Sequence, residues 1–156
     1  MIIIEKKIII HQPVNKIWKI LYDDFDKIDI WLSEVYTSKK ETNKDIFDRV
    51  CKTPNGIIKE KIIHKNPELY QLSYAVFGFP FIFKSITSSW QLQPINKEST
   101  EVYLTSTIQL LPIITFFIKK IIVQRVDSSL PKVLNDLKVF VETGKVSSRK
   151  MTYKKT

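Results

Sequence analysis

Apolar residues recur with a period of two through the middle of this chain and with a period near 3.6 towards its end. Those two rhythms predict its elements. Residues 2–11 are dense in β-branched side chains and read as a strand. Gln12-Pro13 ends it, and a proline without an N–H suits the first turn of a helix. Val14, Ile17, Trp18 and Leu21 follow at i, i+3, i+4 and i+7, a short helix over 14–22. Asp23-Asp24-Phe25-Asp26 interrupts it. Asp26 with Asp29 three residues on resembles an N-cap with an acidic first turn. A second short helix is expected over 27–33, with Ile28, Trp31 and Leu32 on one face. Six strand-like segments follow, at 34–42, 46–53, 56–65, 69–78, 84–94 and 99–110. Their connectors are Asn43-Lys44, Pro54-Asn55-Gly56, Asn66-Pro67-Glu68, Gly78-Phe79-Pro80 and Pro94-Ile95-Asn96-Lys97, all turn chemistry. Links this short imply an antiparallel meander.

After Pro112 the period changes. Leu130, Val133, Leu134, Leu137, Phe140 and Val141 form one helix face, and Gly144 stands where a helix stop belongs. An unbroken helix over 113–143 would be about 46 Å long, against about 33 Å for a ten-residue strand. A break at Pro131 is therefore expected, with Ser128 or Ser129 capping the second piece. The expected class is α+β: strand, two short helices, six strands and a long C-terminal helix. In that arrangement a seven-stranded curved antiparallel sheet wraps the helix.

Charge changes this picture little. The chain has 156 residues and a formal charge of +9, but Lys145, Arg149, Lys150, Lys154 and Lys155 supply five of those charges without an intervening acid. The reading is a single domain over 1–144 and a basic, flexible tail over 145–156. Lysine outnumbers arginine 22 to 3, and isoleucine occurs 24 times against one alanine. That bias makes lysine number a poor guide to function. Scarcity of arginine, the usual bidentate ligand of phosphate and bases, argues against nucleic acid as a partner. One cysteine, Cys51, and two histidines, His11 and His64, exclude a disulfide framework and a multi-cysteine or histidine-rich metal site. Asp23, Asp24 and Asp26 lack the spacing of a calcium loop. No Ser–His–Asp or Cys–His set and no nucleophile elbow is visible, so no catalytic residue, cofactor or metal is assigned. The N-terminus is too charged for a secretory signal, and the apolar stretch 108–123 is too short to span a bilayer. A cytoplasmic protein is expected.

Several local motifs, in order, resemble the START/SRPBCC helix-grip superfamily, in particular its polyketide cyclase/dehydrase and lipid-transport branch. Ile10, Pro13 and Ile17-Trp18 match the branch's opening strand and first helix, and Trp31 its second-helix tryptophan. Arg49, Gly56 and Glu60 fall where the third and fourth strands of that branch carry an arginine, a glycine and a glutamate. Tyr74 matches a fifth-strand aromatic. Thr100-x-Val102-x-Leu104 matches the last strand, with leucine in place of the aromatic, and Leu134-x-x-Leu137-Lys138 the final helix. The resemblance covers about residues 2–144. It implies the helix-grip fold and a hydrophobic-ligand cavity between sheet and C-terminal helix, and it does not select a reaction.

Strand alternation then assigns the faces. Ile58, Glu60, Ile62 and His64 share one face of residues 56–65, and the lysines mark the other as solvent-facing. Tyr70, Leu72, Tyr74 and Val76 point inward from the next strand, then Ile86, Ser88, Trp90 and Leu92, then Val102, Leu104, Ser106 and Ile108. Phe47, Arg49 and Cys51 share the inward face of residues 46–53. The expected cavity residues are Trp31, Arg49, Glu60, Tyr70, Leu72, Tyr74, Ile86, Trp90, Leu104, Leu134 and Leu137. A lone carboxylate there would cost several kcal/mol, so Glu60 is expected to pair with Arg49. The pair can fix the sheet, anchor the polar end of a ligand, or act as an acid/base group. Cys51 reads as an inert buried thiol. Phe79, Phe81 and Phe83, and Phe116 and Phe117 beside Lys119 and Lys120, are apolar loops that could cover the core or touch a membrane.

The function these features favour is binding or carriage of a small hydrophobic ligand such as a lipid, isoprenoid or polyketide-like molecule. The alternatives are a cyclase/hydratase-type enzyme using polar cavity residues, and a module contacting membrane or nucleic acid through the basic tail. Weak contact with an anionic membrane surface is compatible with the first reading.

Overall fold

The computed structural model describes residues 1–41 and 46–154, with backbone alone over 113–117 and 153–154. The chain order is β1 (Ile2–Ile10), α1 (Val14–Trp18), β2 (Thr37–Lys40), β3 (Arg49–Thr53), β4 (Gly56–Asn66), β5 (Gln71–Phe77), β6 (Phe83–Asn96), β7 (Ser99–Leu110), α2 (Pro112–Thr143) and α3 (Ser148–Lys154). Between α1 and β2 lie a π-turn at Lys19–Asp23 and a 3₁₀ segment at Phe25–Ile30. The strands form one antiparallel sheet in the order β1-β7-β6-β5-β4-β3-β2. The sheet is curved, and the long helix packs against its concave side. The expected α+β architecture is the observed one.

Alternation sets the inner face. Ile4, Ser106, Ser88, Tyr74 and Ile62 stand opposite one another across five strands, as do Leu104, Trp90 and Leu72. Leu72, Trp90, Leu92, Val102, Leu104 and Ile108 from the sheet share a core with Leu130, Leu134, Leu137 and Val141 from α2. Polar ties fasten the helix to the edge strand: Lys138 Nζ donates to the Ile9 carbonyl at 2.7 Å, and the His11 N–H to Glu142 Oε1 at 2.7 Å. Lys6 Nζ reaches Asp127 Oδ1 at 2.7 Å.

Four local expectations need correction. First, α2 does not break at Pro131 but runs through it for 32 residues, about 48 Å. The helix needs no break to match the sheet, because β6 and β7 have 14 and 12 residues, about 46 and 40 Å. Pro131 lacks the N–H that would bond the Asp127 carbonyl, but Leu130 and Leu134 on either side are buried and hold the helix down. Ser128 Oγ donates to the Arg125 carbonyl at 2.9 Å inside the helix rather than capping a second one.

Second, a β-bulge between Ile62 and His64 reverses the end of β4. His64 stands opposite Ser73 and is exposed, while Lys65 turns to the inner side and donates to Tyr22 Oη at 2.6 Å. Third, Asp26 does not cap the second helical segment. Asp24 occupies that position and instead accepts from Lys19 Nζ at 2.5 Å and Lys27 Nζ at 2.7 Å. Fourth, Phe47 does not share the inward face of Arg49 and Cys51. It packs edge-on against Phe77 at 5.3 Å, with Lys59 Nζ 5.1 Å from its ring. Asn43, Lys44, Lys155 and the Phe116 and Phe117 side chains lie outside the described residues.

Residues 145–154, expected above as part of a loose basic tail, carry α3 and pack against the domain. Ser147 and Lys150 are buried. Ser147 Oγ donates to Asp136 Oδ1 at 2.5 Å, and Arg149 bridges Asp136 Oδ2 at 3.3 Å and Glu34 Oε1 at 2.9 Å. Lys150 Nζ donates to the Leu32 carbonyl at 2.9 Å and to the Val35 carbonyl.

Candidate functional site

Between the sheet and the middle of α2 lies a cavity of about 120 Å³. The 3₁₀ segment and the chain after it close one side with Ile28, Leu32 and Val35. The sheet supplies Arg49, Cys51, Ile58, Glu60, Tyr74, Ser88, Trp90 and Leu104, and α2 supplies Leu130 and Val133. A second void of about 10 Å³, enough for one water, adjoins Trp31, Leu21 and Phe25 and shares Arg49, Tyr74 and Trp90 with the first.

Arg49 and Glu60 stand directly opposite one another in the β3–β4 register, which is why the pair forms. Arg49 Nε donates to Glu60 Oε2, and Arg49 Nη1 donates to the Phe25 carbonyl. The guanidinium carbon lies 3.8 Å from the centre of the Phe25 ring and 5.5 Å from that of Tyr74. One face of the guanidinium is thus covered by an aromatic ring, an arrangement that a lysine could not reproduce. Both side chains are almost fully buried, at 2% and 6% exposure. Burial alone would lower the Arg49 pKa, but the charge and hydrogen bond of Glu60 outweigh it and hold the group above its ordinary value.

The other polar groups of the chamber are neutral. Burial first, and the Glu60 charge second, push the Tyr74 phenol up. Its oxygen lies 3.4 Å from Trp90 Nε1, which donates to it. Burial likewise pushes the Cys51 thiol up to about 11, against the pull of Arg49. Cys51 Sγ lies 3.8 Å from Glu60 Oε2 and 3.5 Å from Ser38 Oγ. A thiol held that high is a poor nucleophile at neutral pH.

Of the cavity residues expected from sequence, Arg49, Glu60, Tyr74, Trp90 and Leu104 line the larger chamber and Trp31 the smaller void. The other five lie outside both linings. Tyr70 sits in the turn before β5 with φ 52°, its ring edge-on to Trp18 at 5.7 Å. Leu72 is fully buried opposite Trp90, and Ile86 pairs with Ile108. Leu134 and Leu137 belong to the packed core, C-terminal to the two α2 residues that reach the chamber. Alternation puts Cys51, Ile58 and Ser88 on inward faces, and helical spacing groups Ile28 with Leu32 and Leu130 with Val133. Only Val35, placed in a strand that starts two residues later, carried no signal.

Among the described residues no group of three His, Cys, Asp or Glu side chains is placed to hold a metal, and no helix is long and apolar enough to cross a membrane. No protein-family model matches the sequence, and no curated protein matches it. Solved structures do. An uncharacterized protein of Bacillus thuringiensis is 18% identical over 88% of this chain and 96% of its own, with a TM-score of 0.73. A START superfamily protein of Mycobacterium smegmatis is 14% identical over 92% and 99%, with a TM-score of 0.70. This is the START/SRPBCC helix-grip fold. An aromatase/cyclase of a Streptomyces species shares it at 15% identity over 94% and 99%, with a TM-score of 0.64. At such identities the likeness is one of fold. In helix-grip terms, the chamber described above lies in the gap between gripping sheet and gripped helix.

Proposed function

We propose that this protein binds a small hydrophobic ligand in the chamber between its sheet and α2, as a cytoplasmic binder or carrier. The observation that carries this reading is an apolar chamber of about 120 Å³ with one charged pair, Arg49–Glu60, in its wall. A protein built for stability alone fills such a space, because interiors pack densely and voids are costly. The apolar lining supplies affinity at about 25 cal/mol per Å² buried, and the pair supplies orientation. The test is native mass spectrometry of freshly purified protein, with extraction of what travels with it. A small apolar molecule should be found, and Val133→Phe, which fills the chamber from α2, should be purified without it. Equal occupancy in the two proteins would move the ligand elsewhere.

A second reading concerns the loop between β5 and β6. Phe79 and Phe81 on the loop that starts at Gly78 are exposed, Phe81 at 81%, as are Phe77 at the end of β5 and Ile57 on β4 beside Gly78, and Lys84 near the start of β6 is exposed too. Such a loop suits shallow contact with an anionic bilayer. Phe81→Ser should then reduce sedimentation with phosphatidylserine vesicles. Undiminished sedimentation would discard the loop as the contact.

A further inference from the structure

The chamber's size and charge say more about its occupant than the fold does. An engineered cavity of roughly 150 Å³ lined by leucine, isoleucine and phenylalanine accepts benzene. A chamber of about 120 Å³ is somewhat smaller, so it holds a molecule, or the buried portion of one, of at most about six non-hydrogen atoms. That is smaller than a long acyl chain or a fused polycycle. The walls are Ile28, Leu32, Val35, Leu130 and Val133 on the helical side, so most of the occupant's surface must be apolar.

Charge sets the second limit. Arg49 and Glu60 neutralise each other, and Cys51 and Tyr74 remain protonated at neutral pH. An anionic ligand would bring an uncompensated buried charge, which costs several kcal/mol. Hydrogen bonding sets the third. A guanidinium has five N–H donors. Glu60 engages the one on Nε and the Phe25 carbonyl one on Nη1, and the Phe25 ring covers a face. What remains is the outer edge of the guanidinium, on a residue that lines both voids. That edge offers donors and no acceptor.

We infer that the chamber selects a compact, uncharged molecule with a single hydrogen-bond acceptor, a ketone or aldehyde carbonyl being the simplest, directed at the outer N–H groups of Arg49. Arg49 is the orienting residue, and Glu60 positions it. The inference rests on the proposed ligand-binding reading, and the experiment separates the two.

The experiment follows the tryptophan indole N–H resonances of the full chain during titration with four probes: cyclopentanone, methylcyclopentane, cyclopentanecarboxylate and palmitate. Cyclopentanone should shift the Trp90 signal and bind about tenfold or more tighter than methylcyclopentane, the size of effect a hydrogen bond to a charged donor supplies. Cyclopentanecarboxylate and palmitate should bind more weakly than cyclopentanone. Equal binding of cyclopentanone and methylcyclopentane, or tighter binding of the carboxylate, overturns the acceptor-and-charge rule. Binding of palmitate in preference to cyclopentanone overturns the size limit and leaves the proposed function standing. Binding of none of the four overturns both. Val133→Phe should abolish the cyclopentanone shift while leaving the polar groups in place. Arg49→Met with Glu60→Leu should erase the ketone preference and keep methylcyclopentane binding. If that double variant fails to fold, the four-probe ranking on the native chain and Val133→Phe decide the matter alone.

Discussion

Glu60 on β4 and Asp136 on α2 are both buried and both face an arginine, but their surroundings differ. Asp136 accepts from the Ser33 N–H at 3.0 Å, from Ser147 Oγ and from Arg149, with Ser33 Oγ and Ser147 Oγ 3.3 Å apart. These groups come from three separate stretches of chain, and the carboxylate ties them into one knot. Glu60 has one arginine, one weak thiol contact and a void beside it. A carboxylate surrounded by donors from distant segments holds the fold together. A carboxylate that orients one arginine at the edge of a space leaves that arginine available to something else.

The strongest way to break this comparison is to compare single and paired removals. Glu60→Leu strands the buried Arg49 charge and should cost roughly 3–5 kcal/mol in chemical denaturation. Adding Arg49→Met should restore most of that loss, since what else leans on the pair is a long thiol contact from Cys51 and the Phe25 carbonyl. Asp136→Leu with Arg149→Met should show no comparable recovery, because the Ser33 N–H stays buried without an acceptor and the Ser147 hydroxyl keeps only its longer contact with Ser33 Oγ. Recovery in both pairs would erase the distinction between them.

Next in size is truncation after Val146. It removes Ser147, Arg149 and Lys150 together and should cost about 2–4 kcal/mol. The same cut frees the Leu32 and Val35 carbonyls, whose side chains wall the chamber, so ligand affinity should fall along with stability. Loss of stability with unchanged affinity would separate the knot from the site.

Smaller effects sharpen the comparison through pH. The Cys51 thiol is held near 11 in the fold against an ordinary 9.0. Below about 9 both states are protonated and nothing changes. Between 9 and 11 the unfolded chain loses its proton first, so stability falls as pH rises, and Cys51→Ala should flatten that part of the profile. Iodoacetamide should label Cys51 slowly at pH 8 and quickly after unfolding. Smallest is Asp24, held below its ordinary 3.8 by hydrogen bonds from Lys19 and then Lys27. Its stabilisation is full above that ordinary value and fades as pH falls through the folded one. Being partly exposed, Asp24→Asn should cost under about 1 kcal/mol at neutral pH, less in high salt.

The contrast also explains what could be read in the chain beforehand. Strand alternation survives wherever strands pair without interruption, so Arg49, Glu60, Tyr74, Trp90 and Leu104 were placed correctly on the inner face. Alternation fails at the Ile62/His64 bulge, where the β4–β5 pairing shifts by one residue. Facing inward was also not enough to line the chamber: Leu72, Leu134 and Leu137 face inward and are simply packed. Which inward residues border a void depends on how closely two elements approach, and no periodicity encodes that distance. The knot at Asp136 was invisible for a related reason. Its partners at 33, 147 and 149 are far apart in sequence, and a run of lysine, serine and arginine after a helix stop reads as solvated chain until a buried acceptor is known.

The bulge in β4 also has a bearing on how this chain tolerates changes in length. Ile63 is the supernumerary residue, exposed and without a counterpart on β5. Removing it would leave Ile62 inward, His64 outward and Lys65 inward, as they already stand. Removing Lys61, two positions earlier, would instead exchange the faces of the strand on one side of the cut. A single deletion in this strand is therefore benign or ruinous according to where it falls, and position 63 is the link the sheet can lose.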